Sequence, residues 1–362
     1  LYLSDKGKGE KIMKKFLSLL LILVMVLSFA ACGNSDKPAG NSDDETYTFI
    51  IANLAADSDP LNVGYRNLEK ALEEKTDGRI QVEIYSNKAI SNSDEEQAEM
   101  VRANTIQMTT CPTYIMAAVN EELKDFYIYD VPYVFQSDED IWNYSDSEIG
   151  QEMNARLLEK TGNIKNYGCF GIGWVKIMTA KDAINSPADL KGLKIRTTSS
   201  QFYMGVASKL GATPTSVAYG EAFTALQQGT VDGIMTATSL LYSDKFYEIQ
   251  KSVACIDPYQ ITHCVLVSNQ WVEALPDDLR AIFDECIADA VADLRQLEKQ
   301  AEIDSKKAIA DAGLNVCEYD EATKAEFVDA CAPLKTELAD LVGGEQVIAD
   351  AEAWLEQDRA NR

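Results

Sequence analysis

Histidine is almost missing: His263 is the only one in 362 residues. A Ser-His-Asp or Cys-His nucleophile would have to use that single imidazole, and a zinc site would have almost nothing to build on. No GxSxG elbow, phosphate-cradling Walker loop or dinucleotide glycine fingerprint occurs, and there is no CxxC or CxxH. Basic residues are scarce, with Lys plus Arg 33 against Asp plus Glu 58 and a net charge of -25. That balance excludes a basic groove for nucleic acid. With so many carboxylates, closeness of two of them says little about acid–base catalysis. The expectation is a protein that is not an enzyme and carries no cofactor and no metal.

Long apolar runs are also lacking, with one exception. Phe16–Ala31, FLSLLLILVMVLSFAA, follows Lys14 and Lys15 and falls short of the roughly 20 residues a membrane-spanning helix needs. A basic start, a short apolar stretch and small residues ahead of a cleavage point describe an export signal. SFAAC reads as a lipobox, in which Cys32 receives lipid and becomes the new N-terminus. Residues 1–31 are therefore expected to be a signal peptide whose true start is Met13, with residues 1–12 a mis-called beginning. Their removal would leave a net charge of -28. Residues 32–46, rich in Gly, Ser and Asp after Cys32, have the composition of a flexible tether. The expected location is extracytoplasmic, anchored by lipid to the cell membrane, on the periplasmic or outer face.

Seven cysteines remain beyond Cys32, irregularly spaced. Export permits disulfides, but a chain of this length does not need them. Cys255 and Cys264 can pair across two strands.

The folded part alternates. Strand patterns at 47–53, 80–85 and 106–110 enclose helical ones that begin at Pro60 and Asp94, the opening of a parallel α/β sheet. Residues 121–160 read as helices and loops, and aromatic-rich YDVPYVF, 129–135, as packing beneath a cleft rim. An apolar strand with glycines, 169–179, is expected to cross between lobes. The theme then repeats: strand 193–195, helix 201–210, strand 213–217, helix 220–228 and strand 231–235. Strand 261–268 returns to the first lobe. Leu275–Ala312 is the longest helical signal, with Leu279, Phe283, Ile287, Val291 and Leu294 on one stripe. It can lie across both lobes, unbroken or with a break inside it.

Two segments carry a family resemblance. SPADLKGLKIRTTS, 186–199, and KLGATPTSVAYGEAFTALQQGTVDG, 209–233, together with KTDGRIQVEIY, VPYVF and KFYEIQK, resemble the extracytoplasmic solute-binding proteins of TRAP transporters, the ATP-independent tripartite carriers, of the dicarboxylate-binding type. The resemblance spans residues 47–345. It implies a two-lobed α/β fold like that of periplasmic binding proteins, with a long helix spanning both lobes. Lobe I is expected at 47–172 plus 262–300 and lobe II at 173–261 plus 301–345, with a C-terminal helix over 346–362. It implies capture of a small organic acid and delivery to small and large membrane subunits, one solute per monomer, with dimers in a few members.

The resemblance assigns Arg196, which closes the DLKGLKIR strand, to the ligand carboxylate. The physics agrees independently: a guanidinium presents a rigid fork that matches a carboxylate, and open parallel sheets bind ligands outside their carboxyl ends. Lys176 stands where the family often has a second arginine, and keeps the charge without the fork. Thr236 stands where an asparagine often helps, and beside it Ile234 and Met235 suggest an apolar wall. Further candidates for the cleft are Trp174, two residues before Lys176; Tyr219, in AYGEAF; Asn53, ending the first strand; Cys111, after the third; Asp257, able to recognise an amine or hydroxyl; and His263, which can equally be structural. The rivals are the solute-binding subunit of an ATP-driven importer, a sensor-linked binding protein and an exported enzyme acting on a small acid.

Overall fold

The computed structural model describes residues 45–362. The expected signal peptide, with Met13, and the expected lipidation site Cys32 with most of the expected tether lie outside them.

Ten strands form one continuous ladder, and a single strand joins its two halves. The first half begins with β1 (Tyr47–Ala52), α1 (Pro60–Lys75), β2 (Ile80–Tyr85), α2 (Asp94–Arg102), β3 (Met108–Pro112) and α3 (Tyr114–Val119). The 3-10 segment Glu121–Asp130 follows, then α4 (Asp138–Asp146), α5 (Glu148–Thr161) and the long β4 (Ile164–Thr179). The second half comprises β5 (Lys194–Thr197), α6 (Gln201–Lys209), β6 (Thr213–Ser216), α7 (Ala222–Gln227), β7 (Gly233–Ala237), α8 (Thr238–Ser243) and β8 (Ser252–Ala254). The chain continues through β9 (Gln260–Ser268), α9 (Asn269–Ala274), α10 (Asp277–Asp311) and β10 (Asn315–Cys317), and ends in α11 (Glu321–Cys331), α12 (Leu334–Glu337), α13 (Ala339–Val342) and α14 (Glu345–Asn361).

The strand order is β2-β1-β3-β9-β4-β7-β5-β6, with β8 paired to β4 and β10. Within each half the βαβ units run parallel: β1 with β2 and β3, and β5 with β6 and β7. The strands that cross are antiparallel. β4 pairs with β9 from Ile164 to Trp174, then with β7 from Val175 to Thr179. The change of partner at Trp174/Val175 divides the ladder into two lobes. Helix-backed parallel strands need apolar faces on both sides, and Phe49, Ile51, Ile195 and Ile234 are fully buried accordingly.

Local chemistry sets the element ends. Asp59 caps α1 by accepting Leu61 N–H at 3.0 Å, with Pro60 in the first turn, where its missing N–H costs nothing. Ser93 caps α2 in the same way, and Gly162 ends α5 in the left-handed conformation. α10 is an unbroken helix of 35 residues, about 52 Å at 1.5 Å per residue. Its buried face, Leu279, Phe283, Ile287, Val291 and Leu294, is the stripe read in the sequence. α1 lies flush on it: a Cβ at Gly64 would stand 2.5 Å from a Leu294 methyl. The C-terminal α14 is held by charge, since buried Asp140 accepts from Arg359 Nε at 3.0 Å and is also paired with Arg362.

The Cys255–Cys264 pair left open by the sequence does not form. All seven described cysteines are free, and Cys264 on β9 faces Cys169 on β4, with the sulfurs 3.8 Å apart. Cys255 lies beyond β8, on the other lobe's ladder.

Candidate ligand-binding cleft

A cavity of about 400 Å³ lies where the carboxyl ends of the parallel strands in the two lobes meet. From the first lobe, Asn53 ends β1, the Asn87–Lys88 turn follows β2, and Thr110 and Pro112 end β3. From the second, Arg196 and Thr198 end β5, Ser216 and Val217 end β6, and Thr236 lies near the end of β7. Open α/β sheets place ligands at this edge.

Arg196 is the centre of the site. Its side chain is buried to 3% exposure. Nε donates to Val217 O at 2.9 Å, and the guanidinium lies 5.5 Å from the centre of the Tyr219 ring. Among the described residues it forms no ion pair. Burial lowers its pKa from the ordinary value; the groups acting against this are the phenols of Tyr219, Tyr114 and Tyr203, and no carboxylate. A buried cation without an anion is costly, and here the unmatched charge lines a cavity. The remaining guanidinium N–H groups are the fork that a carboxylate matches.

Five of the expected residues share this cavity: Arg196, Tyr219, Thr236, Asn53 and His263. Asn53 is locked by Asn62, to whose Oδ1 it donates at 2.9 Å. Tyr219 donates to Asp244. His263 sits on β9 against Phe170, ring centres 5.9 Å apart, and its Nδ1 has no hydrogen-bond partner among the described residues. Burial pushes its pKa down to about 3, so it is a neutral imidazole at physiological pH.

Four expected residues do not line it. Lys176 is as buried as Arg196 but is held elsewhere: Nζ is 2.7 Å from Glu302 Oε1 on α10 and is also paired with Asp257. Burial alone would depress its pKa, but Asp257 and Glu302 outweigh burial and raise it. Asp257 is thus a partner of Lys176 and not a cleft wall; it is 45% exposed and adopts φ 45°. Trp174 packs on the first-lobe core, and its backbone N–H donates to Glu302 Oε2 at 3.0 Å. The register of β4 slips between Gly171 and Gly173, so Trp174 and Lys176 do not inherit the cavity-facing direction of Ile172. Gly173, at φ 143°, leaves room for Glu302, whose carboxylate a Cβ there would meet at 3.1 Å. Cys111 is buried between Thr110 and Pro112, which do line the cavity; alternation along β3 turns its sulfur to the opposite face. Ile234 and Met235 are core residues of β7, and the apolar lining comes from Leu54, Leu61, Ile172, Val217, Leu240 and Ile261 instead.

Sequence reasoning missed the charged residues that complete the cavity: Lys88, Asp59, Asp94, Glu95 and Asp244. Asn87 and Lys88 are consecutive left-handed residues, φ 52° and 62°. Burial pushes the Asp59 carboxyl up to about 6, against its bond from Leu61 N–H and with help from Asp244. Burial and neighbouring Glu95 push half-buried Asp94 up to about 7.

Two α/β lobes sharing one crossing strand, braced by a long helix and closing on a cleft, define the fold of an extracytoplasmic solute-binding protein. The family model for bacterial extracellular solute-binding protein, family 7, matches residues 51–340, and the chain belongs to that family. It is 27% identical over 315 residues to the C4-dicarboxylate-binding periplasmic protein DctP of Rhodobacter capsulatus, covering 86% of this chain and 92% of that one. A solute-binding protein of Verminephrobacter eiseniae is 30% identical over 294 residues, 80% of this chain and 84% of that one. Among solved structures, the sugar acid binding protein DctPAm from Advenella mimigardefordensis, in complex with galactonate, has a TM-score of 0.80 at 21% identity, covering 86% of this chain and 99% of that one. A TRAP periplasmic solute-binding protein from Shewanella oneidensis with bound succinate has a TM-score of 0.78 at 22% identity, covering 85% and 99%. Among the described residues no helix is long and apolar enough to cross a membrane.

Proposed function

We infer that this protein captures a small organic acid outside the cytoplasm and delivers it to the small and large membrane subunits of a TRAP transporter. The observation that carries this reading is Arg196, a buried guanidinium without an anion, aimed into the cleft between the lobes. Relatives that bind galactonate or succinate on the same fold support it. The ligand carboxylate takes the place of the missing anion. Thr236, Tyr219, Asn53 and neutral His263 offer hydroxyl, amide and imidazole groups to the rest of the molecule. Closing of the lobes removes water and strengthens the ion pair. No bond of the ligand is made or broken.

We take the boundaries between the lobes at the change of partner in β4, Trp174/Val175, and at the start of β9, Tyr259/Gln260, each two residues from the expected 172/173 and 261/262. Lipid on Cys32 and the tether after it hold the body at the cell membrane, and it works as a monomer. Calorimetry with a panel of organic acids tests the binding role. Carboxylates are expected to bind one per chain, with binding lost in Arg196→Ala; a carboxylate held equally well by that variant would refute the reading. Tight binding of a ligand with no acid group would refute it too.

A further inference from the structure

Four carboxylates surround the cavity into which Arg196 opens: Asp59, Asp94, Glu95 and Asp244. Not one has a cationic partner among the described residues. Asp59 accepts from Leu61 N–H, Asp244 accepts from Tyr219, and Glu95 accepts from Ser93 Oγ at 2.7 Å. Asp59 and Asp244 come from opposite lobes yet lie close enough for the second to raise the pKa of the first. The cations of the cavity are Arg196 and Lys88. Lys88 is a half-buried rim residue whose Nζ stands 3.2 Å from where a Gly220 Cβ would be, on the facing lobe. No carboxylate acts on the Arg196 pKa, so the cavity has a buried cation at one pole and, away from it, four acids without counter-ions and Lys88 on the rim.

A ligand carboxylate on Arg196 satisfies the first pole. A second carboxylate would lie among acids that lack counter-ions, a repulsive arrangement of the kind that sets specificity. A hydroxyl or an ammonium there would donate to the same acids. We propose that the cavity selects a monocarboxylate whose far end donates hydrogen bonds, through hydroxyl or ammonium, and that Asp59, Asp94 and Asp244 exclude dicarboxylates. This rests on the carboxylate reading of Arg196. Burial without a cation raises the pKa of Asp59 to about 6 and of Asp94 to about 7, so their repulsion is complete only above about pH 7 and the discrimination is expected to widen as pH rises towards about 8. An ammonium ligand would displace the protons these acids hold near neutrality, whereas a hydroxyl ligand would not.

The test is a thermal-shift and calorimetry panel on the purified protein in matched pairs that differ only at the far end: gluconate with glucarate, and 4-hydroxybutyrate and 4-aminobutyrate with succinate. Binding is expected from members of the monocarboxylate set, with the matched dicarboxylate at least about tenfold weaker. Calorimetry near pH 7 in two buffers of different ionisation enthalpy then separates the two donors, since proton release marks the ammonium. Asp94→Asn with Asp244→Asn is expected to narrow the gap by strengthening the dicarboxylate; Asp59→Asn, which keeps a capping side chain, is expected to act in the same direction. An unchanged gap in both the double and the single variant would overturn the role of the acids. A dicarboxylate that binds as tightly as its monocarboxylate partner, and is lost in Arg196→Ala, would overturn the selectivity, and its further loss in Lys88→Met would hand the second carboxylate to Lys88. If no acid in the panel binds, or binding survives Arg196→Ala, the carboxylate reading itself fails, and this proposal with it.

Discussion

Arg196 and Lys176 are each 3% exposed and sit on β5 and β4, the two strands that flank β7, yet they do opposite things. Lys176 has a carboxylate on either side, Glu302 from the long helix and Asp257 from the loop after β8. Its charge is spent on fixing β4 to α10 where the chain passes between lobes. Arg196 has one carbonyl, a ring of phenols and an open cavity. A buried cation with its anions present is architecture. One without them, on the proposed function, is a site whose missing partner comes from outside. Residue type does not distinguish the two; the counter-ion does.

That contrast can be broken in several places. The largest effect is expected from Lys176→Ala, which strands Glu302, 15% exposed, without its cation and should lower unfolding stability by about 3 kcal/mol. In the same chemical denaturation series, Arg196→Ala should cost less than about 1 kcal/mol or stabilise, since no anion is left behind. Equal losses from the two would erase the distinction. Next is the effect on ligand: Arg196→Ala should weaken a bound carboxylate by about 30-fold to several thousand-fold in calorimetry, whereas Asp257→Asn should leave the dissociation constant within about threefold. Arg196→Lys keeps the charge and loses the fork, so an intermediate loss of about tenfold is expected. Asp257→Asn should lower stability by no more than about 1 kcal/mol, its carboxylate being half in water.

The smallest and most specific effect concerns pH. The His263 pKa is depressed to about 3 from an unfolded value of 6.5. Between those values the unfolded chain binds the proton and the folded chain does not, so the contribution of His263 to stability is complete above about pH 6.5 and is lost as pH falls towards 3. Asp59 and Asp94, raised by burial, slope the other way over much of that window. The difference between wild type and His263→Gln isolates the imidazole: the variant should lose less stability than wild type between pH 7 and pH 5. Parallel stability curves would show that the imidazole is not held neutral.

Much of this was readable before any coordinates. Alternation fixed β2 at 80–85, apolar spacing marked the long helix, and the position of Arg196 at the end of an apolar strand put it at the ligand edge. The errors have physical causes. Lys176 was a candidate for the ligand because its partner Glu302 lies 126 residues further along, beyond any local pattern. Cys111 was placed by its nearness to a strand end, although alternation had already turned it away. Asp59 and Asp94 did carry a signal, as the acids of helix starts in DSDP and SNSDEE. A helix start at the carboxyl edge of a sheet faces the cleft, so these carboxylates serve both helix and cavity. Lys88 reaches the rim through two consecutive left-handed residues, which nothing in SNKA announces.

The flush seat of α1 on α10 has a mechanical consequence. With Gly64 leaving no slack against Leu294, α1 and the first part of the long helix share one close-packed seat, while its later part is clasped to β4 through Lys176 and Glu302. On the proposed function the swing expected is of the second sheet about that clasp. Arg196 stands on the second sheet, so the docking of an acid and the shutting of the jaw would be one event: the positive charge is carried to its quarry.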